Sequence, residues 1–223
     1  EDFHTTQNED GSTDRTSYTS SLTIDTDLPG HTLTMLTAYA GYDDELKFDA
    51  DAGPAPLIDY WGKEIFWQFS NELRLTSEPG DLEYVAGLYS FRSNMDLESF
   101  VRLIANATPQ SLTPELLSFV DDLLPGGFAI NGEKGDVKVD ADTTSVAAFG
   151  QATWRPFDKL ALIGGLRYSW ENKRVDFQKG VEQSPAYHLL LGTDPVDINA
   201  ERTEGALSPK VSATWNWSDD IMT

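Results

Sequence analysis

A chain of 223 residues is long enough to bury a sizeable core, yet only 39% of it is hydrophobic, and 37 Asp and Glu against 16 Lys and Arg give a net charge of −21. That balance excludes a basic patch for nucleic acid and disfavours an anionic lipid surface, while 11% aromatic residues exclude the aromatic-poor composition of an acidic disordered chain. The absence of cysteine excludes a disulfide framework, a thiolate metal site and a cysteine nucleophile.

In chain order, a polar run leads from Glu1 to Ser20, with no initiator Met or secretory leader. Alternating runs rich in Thr, Val, Tyr, Trp and Leu then predict strands over 16–27, 31–48, 64–76, 82–92, 142–154, 159–172 and 203–217. An eighth begins at Ile221-Met222-Thr223, so both ends are expected to be internal to a longer protein. Leu28-Pro29-Gly30, Ser77-Glu78-Pro79-Gly80-Asp81, Arg155-Pro156-Phe157-Asp158 and Ser218-Asp219-Asp220 read as tight turns. They alternate with long polar connections at 49–63, 93–141 and 173–202. Short and long links in alternation are the pattern of an outer-membrane barrel, with short periplasmic turns and long extracellular loops. No run of eighteen apolar residues supplies a spanning helix, which says nothing against strands that hide their hydrophobicity by alternating.

The faces agree. Trp67, Phe69, Leu73 and Leu75 oppose Gln68, Ser70, Glu72 and Arg74; Leu160, Leu162, Leu166, Tyr168 and Trp170 oppose Arg167 and Ser169; Leu207, Val211, Trp215 and Trp217 oppose Ser208, Lys210 and Ser212. Trp154, Phe157, Trp215 and Trp217 lie beside the short turns. Trp67, Tyr89, Phe91, Tyr168 and Trp170 lie roughly eight to eleven residues away, the distance between two interfacial girdles. The core of a soluble β-sandwich would alternate in the same way.

The run Gln68-Phe69-Ser70-Asn71-Glu72-Leu73-Arg74-Leu75-Thr76-Ser77, with Leu82-Glu83-Tyr84-Val85-Ala86-Gly87-Leu88-Tyr89-Ser90-Phe91 after it, resembles a hairpin of TonB-dependent receptor barrels. Leu33 to Tyr39, Ala147 to Trp154, Leu162 to Tyr168 and Leu207 to Ser212 resemble neighbouring strands of the same barrels, in the same order over about residues 30–223. The resemblance implies an all-β fold. It would be an antiparallel up-and-down transmembrane β-barrel fragment of seven to eight strands, the middle third of a barrel of about 22. Residues 1–223 would form one partial barrel domain, with the plug domain and the remaining strands absent, and short helices in one long extracellular loop. It implies a bacterial outer-membrane receptor that binds a scarce small-molecule nutrient, commonly a ferric siderophore, and imports it with energy from the TonB complex. Partners would be that complex, the plug and outer-membrane lipids; no cofactor and no enzymatic step are expected. Seven or eight strands alone should neither close nor transport, because unpaired edges are costly in lipid.

Site candidates are few. His4, His31 and His188 stand apart and read as turn or loop residues; Asp49-Ala50-Asp51-Ala52-Gly53 lacks the ligand set of a calcium loop and reads as a solvated loop. Tyr60 and Trp61, placed in the first long loop, are candidate ligand-stacking aromatics, or else interfacial anchors. Glu72 and Arg74 are candidate lumen-facing residues that line a path or pair with neighbouring charges. Gly87, Gly150, Gly164 and Gly165 mark close backbone approach or bends. Within 93–141, Leu97, Phe100, Val101 and Ile104 predict one amphipathic helix, and Thr113-Pro114-Glu115 with Leu116, Leu117, Val120 and Leu124 a second, packed on the rim or serving as a lid. A passive porin and a soluble all-β binding module remain the competing functional readings.

Overall fold

The computed structural model describes residues 7–103, 113–123, 134–180, 194–218 and 221–222. Its strands are β1 Ser12–Leu28, β2 His31–Asp49, β3 Ile58–Ser77, β4 Leu82–Leu103, β5 Lys134–Phe157, β6 Leu160–Lys179, β7 Val196–Ser218 and the two-residue β8 Ile221–Met222. Each pairs antiparallel with its sequence neighbours, so the sheet runs β1 to β8 in order as an up-and-down meander. One short helix, α1 Pro114–Leu123, stands between β4 and β5. Pro114 opens it where a missing N–H costs nothing, and the Thr113 carbonyl accepts the Leu117 N–H at 2.9 Å.

The first two short turns form where expected. Pro29 presets the first turn and Gly30 completes it at φ +74°, a backbone angle that other residues enter only with strain. Adjacent turns are tied sideways: Glu78 N–H donates to Gly30 O at 3.0 Å and Arg155 N–H to Asp81 O at 2.7 Å. The Arg155 guanidinium also pairs with Glu83 at 2.7 Å. The third turn is displaced from its expected place. A bulge between Trp154 and Phe157 absorbs Pro156, which has no N–H for the ladder, and the chain reverses at Asp158-Lys159.

The strands outrun their expected ends on the side of the long connections. Residues 58–63, 93–103, 134–141, 173–179 and 196–202, read as loop, are paired strand. The first of the two expected helices is therefore strand: Leu97, Phe100 and Val101 belong to β4, and Ile104 lies outside the described residues. The confusion is physical, since Leu97 and Val101 are four apart and share a face in a helix and in a strand alike.

Exposure alternates with the pleat. Leu162, Leu166, Tyr168 and Trp170 of β6 are exposed, while Ile163, Gly165, Arg167 and Ser169 between them are partly covered. In β5, Val146 is 46% exposed and Ala147 6%. The apolar side is thus convex and the polar side concave. Val211 is 91% exposed and Leu207 62%, and the described residues form one sheet with no second sheet laid against these side chains. A sandwich core would do the opposite, with its greasy face the covered one.

The apolar band crosses the ladder obliquely. Trp67 of β3 aligns through Asn94 and Asp142 with Arg174 of β6, whereas Trp170 stands four residues before Arg174. Placing both indoles at one depth shifts the band ~14 Å along the strands while crossing three strand spacings, also ~14 Å. Strands inclined at roughly 45° satisfy that, the tilt that transmembrane barrels take.

The convex face therefore has a definite energetic signature. Leu88→Arg, on this face, is expected to cost about 2–4 kcal/mol of stability in lipid. Ser169→Arg, on the concave face, is expected to cost under about 1 kcal/mol. Urea titration of the barrel in lipid checks the contrast.

Candidate functional site

Above the apolar band the two faces exchange character. The ladders β2·β3 to β6·β7 run unbroken through this zone, so side-chain parity is retained while composition flips. On the convex side stand Lys63, Asp96, Glu98, Lys138, Asp140 and Asp142. On the concave side stand Phe66, Met95, Leu97, Val101, Val137 and Val139. Along β4 the convex face carries Leu82, Tyr84, Ala86 and Leu88, whereas from residue 91 upward Phe91, Met95, Leu97, Val101 and Leu103 are concave and Phe100 alone of the large apolar residues is convex. A charged convex side breaks the alternation expected of a strand against lipid, so the sequence alone ends this strand near residue 92.

Tyr60 and Trp61 lie in β3, not in a loop, and as neighbours in a strand they face opposite sides. Tyr60 is concave and stacks on Phe48 at 4.8 Å between centroids. Trp61 is convex, stacks on Phe100 at 5.2 Å and donates its indole N–H to Glu45 Oε1 at 3.0 Å. Lys47 bonds the same carboxylate at 2.6 Å. These two bonds, that from Lys47 first, hold Glu45 below the usual carboxylate range. Below Tyr60, the Tyr42 hydroxyl donates to Glu64.

The Asp49 to Gly53 segment is a self-satisfied loop. Asp49 Oδ1 accepts the N–H groups of Asp51 and Ala52, each at 3.1 Å; Asp51 accepts those of Gly53 at 3.0 Å, Leu57 at 3.2 Å and Ile58 at 2.8 Å. Its carboxylates are spent on backbone donors, as in Asx turns. Among the described residues no cluster of His, Asp and Glu is arranged to hold a metal ion. Beside the loop, Asp59 faces Asp49 on β2 and Arg102 on β4. Partial burial, and then the charge of Glu9, push its carboxyl above the usual range against the pull of Arg102.

Lower on the concave face, Glu72 and Arg74 form an ion pair at 3.5 Å. The ladder row of Arg74 continues through Gly87 and Phe149 to Arg167. A Cβ on Gly87 would meet the Phe149 ring at 2.5 Å, so that glycine does mark a close approach. Arg167 lies 5.5 Å from the Tyr89 centroid and 5.8 Å from that of Phe149. Tyr89 and Phe91, expected in the outer girdle, are therefore corrected to the concave face: they follow Leu88 and Ser90 by one residue and so take the other side of the pleat. His31 opens β2 beside its turn, where Nδ1–H donates to Pro29 O at 3.0 Å and Nε2 accepts from the Tyr84 hydroxyl. His4 and His188 lie outside the described residues.

A family model described as TonB dependent receptor-like, beta-barrel, matches residues 1–223. The chain belongs to the TonB-dependent receptor β-barrel family. Among solved structures, the ferric yersiniabactin uptake receptor FyuA of Yersinia pestis superposes with a TM-score of 0.68 at 14% identity, over 94% of this chain and 27% of that receptor. The ferric-catecholate import receptor Fiu of E. coli K12, in an open form, superposes at 0.54 and 15% identity, over 93% of this chain and 34% of that receptor. At these identities the likeness is one of fold, and the chain spans about a quarter to a third of either receptor's length. No curated protein matches it. In this receptor segment, then, the convex band and the concave wall are the two sides of a barrel sector.

The loop above the wall yields two expected outcomes. Asp51→Ala removes three acceptor contacts and should raise hydrogen exchange at the Leu57 and Ile58 amides by about five- to tenfold, since one bond lost is worth ~1–1.5 kcal/mol. Because the Asp59 pKa is raised in the folded state, the native receptor gains stability as pH falls through that pKa and loses it as pH rises again. Asp59→Asn should abolish this component and leave the variant at least as stable as the native receptor near neutral pH. Melting in detergent between roughly pH 3 and 7 checks it.

Proposed function

We propose that this chain is a wall sector of an outer-membrane receptor that captures a scarce nutrient, such as a ferric siderophore, and imports it with energy delivered through TonB. The reading rests on the family together with one observation: the greasy side of the sheet is its convex side. A convex apolar surface is stable against acyl chains and costly against water. The plug domain and the energising complex are partners of the whole receptor, and outer-membrane lipid is the partner of this face. In this reading Glu72 and Arg74 face the lumen, paired with each other and set where a plug or a passing ligand meets the wall. Tyr60, on the same side, is the candidate ligand contact. Trp61, on the outside above the lipid, serves better as an anchor that braces β2, β3 and β4 through Glu45 and Phe100.

A passive pore would share the convex greasy face, and energy dependence separates the two. Cells expressing the full-length receptor are expected to accumulate radiolabelled iron from one or more siderophores of a panel, and to stop when TonB is deleted. Uptake that persists without TonB would replace the receptor by a pore.

A further inference from the structure

The convex face is not evenly filled within the lipid band. Between Thr144 and Trp154 the outer side of β5 carries only short side chains, Val146, Ala148, Gly150 and Ala152, while Leu88 of β4 and Leu166, Tyr168 and Trp170 of β6 rise on either side. Two hollows open over this strand, of about 670 Å³ beside Val146 and Ala148 and about 460 Å³ beside Gly150 and Ala152. A Cβ on Gly164, at the edge of the lower hollow, would meet nothing within 4 Å. In hydrocarbon there is no water to fill such space, and its lining gains dispersion contacts only when an apolar chain lies in it.

A cation stands at the upper end. The line of equal depth from Trp67 to Trp170 descends four residues over three strand spacings, so it crosses β4 just below Asn94, the partner of Trp67, beside Arg92. Arg92 is convex and exposed, opposite Thr144 of β5. Its guanidinium lies 5.9 Å from the Trp67 centroid, and among the described residues no carboxylate stands within ion-pair distance of it. The convex cations above it are occupied: Lys63 faces Asp43 at 3.9 Å, Lys138 faces Glu98 at 3.8 Å and Arg174 faces Glu201 at 3.6 Å. Asp142, diagonal to Arg92, is opposite Arg174 and accepts from Asn94 at 3.5 Å.

We propose that the hollows over β5 hold one anionic lipid of the surrounding bilayer, an acyl chain lying along Val146 to Ala152 and the headgroup phosphate against the Arg92 guanidinium. The proposal rests on the receptor reading above, in which this face meets acyl chains. It deepens that reading by naming the headgroup charge that one place on the face selects. Charge complementarity decides the occupant. The chain of a neutral lipid would fill the hollows equally well, but only an anion at headgroup depth answers a guanidinium that no carboxylate of the wall engages.

Bromine quenching in nanodiscs tests it with the whole receptor. Leu166→Cys, at the edge of the hollows, and Leu22→Cys, on the convex side of β1 away from them, each carry a bimane label, against the receptor without the introduced cysteine. The bilayer is phosphatidylcholine with a minority of phosphatidylglycerol. Dibrominated chains are carried by the phosphatidylglycerol in one sample and by an equal amount of phosphatidylcholine in the other. The ratio of quenching by phosphatidylglycerol to quenching by phosphatidylcholine is expected to be about fivefold higher at Leu166→Cys than at Leu22→Cys, the factor that ~1 kcal/mol per basic residue at a lipid surface gives. Arg92→Gln is expected to bring the two ratios together and Arg92→Lys to leave them apart. Equal ratios with Arg92 in place overturn the proposal, and so does a difference that survives Arg92→Gln. A label at Leu166→Cys that stays unquenched while Leu22→Cys is quenched also overturns it, by assigning the hollows to a protein segment. If neither position is quenched by either lipid, the lipid-facing placement of the convex side falls, a result distinct from failure of the headgroup preference alone.

Discussion

Backbone pairing is the constraint on which everything else in this molecule depends. A strand in hydrocarbon has no water to bond, so each N–H and C=O must meet a neighbouring strand. Here the ladders run from Leu33 to Asp49 along β2 and from Leu82 to Arg102 along β4 without a bulge; irregularities are confined to the short-turn ends, at Trp154/Phe157 and Asn216/Ser218. An unbroken ladder locks parity. Once Leu88 faces out, Tyr89 must face in, and so must Met95, Leu97 and Val101.

Parity fixed in this way turns the surrounding medium into the variable. β4 has 22 residues, about 70 Å of strand, or roughly 50 Å of height at a barrel's tilt, against an apolar band of about 25 Å. The remainder stands in water. There the outer face exchanges leucine for Asp96 and Glu98, and the apolar residues move to the inner face. The same wall is greasy outside where lipid touches it and greasy inside where it rises above the lipid. The edges obey the same physics, for β1 is exposed along its whole length, and an unpaired edge has to be met by further strands before the sheet can stand in hydrocarbon.

What the sequence made legible follows from this. Leu162 to Trp170 and Leu207 to Trp217 were readable as strands because one medium on one side imposes a clean alternation. Pro29-Gly30 and Pro79-Gly80 were readable because turn chemistry is local. The extensions were not, because Asp96, Glu98, Asp140 and Asp142 look like loop residues until their partners are known, and Leu97 with Val101 satisfies two periods at once. Of the candidate site, Glu72 and Arg74 fell on the polar face as alternation demanded. The sequence places Tyr60 and Trp61 in a loop, and only their pairing with Val101 and Phe100 reveals that the two rings are separated by the thickness of the sheet. The expected second helix fared better, since Thr113-Pro114 is a local start signal that needs no partner.

A nitroxide scan along β4, from Tyr84 to Leu103 in the full-length receptor in bilayers, tests the central claim most directly. The account predicts that collision with lipid-soluble oxygen peaks at residues 84, 86 and 88 and dips at 85, 87 and 89. From residue 94 upward, even positions should instead be reached by a water-soluble nickel complex, with no change of phase. Oxygen maxima at the odd positions, or a phase slip between 88 and 96, would contradict it.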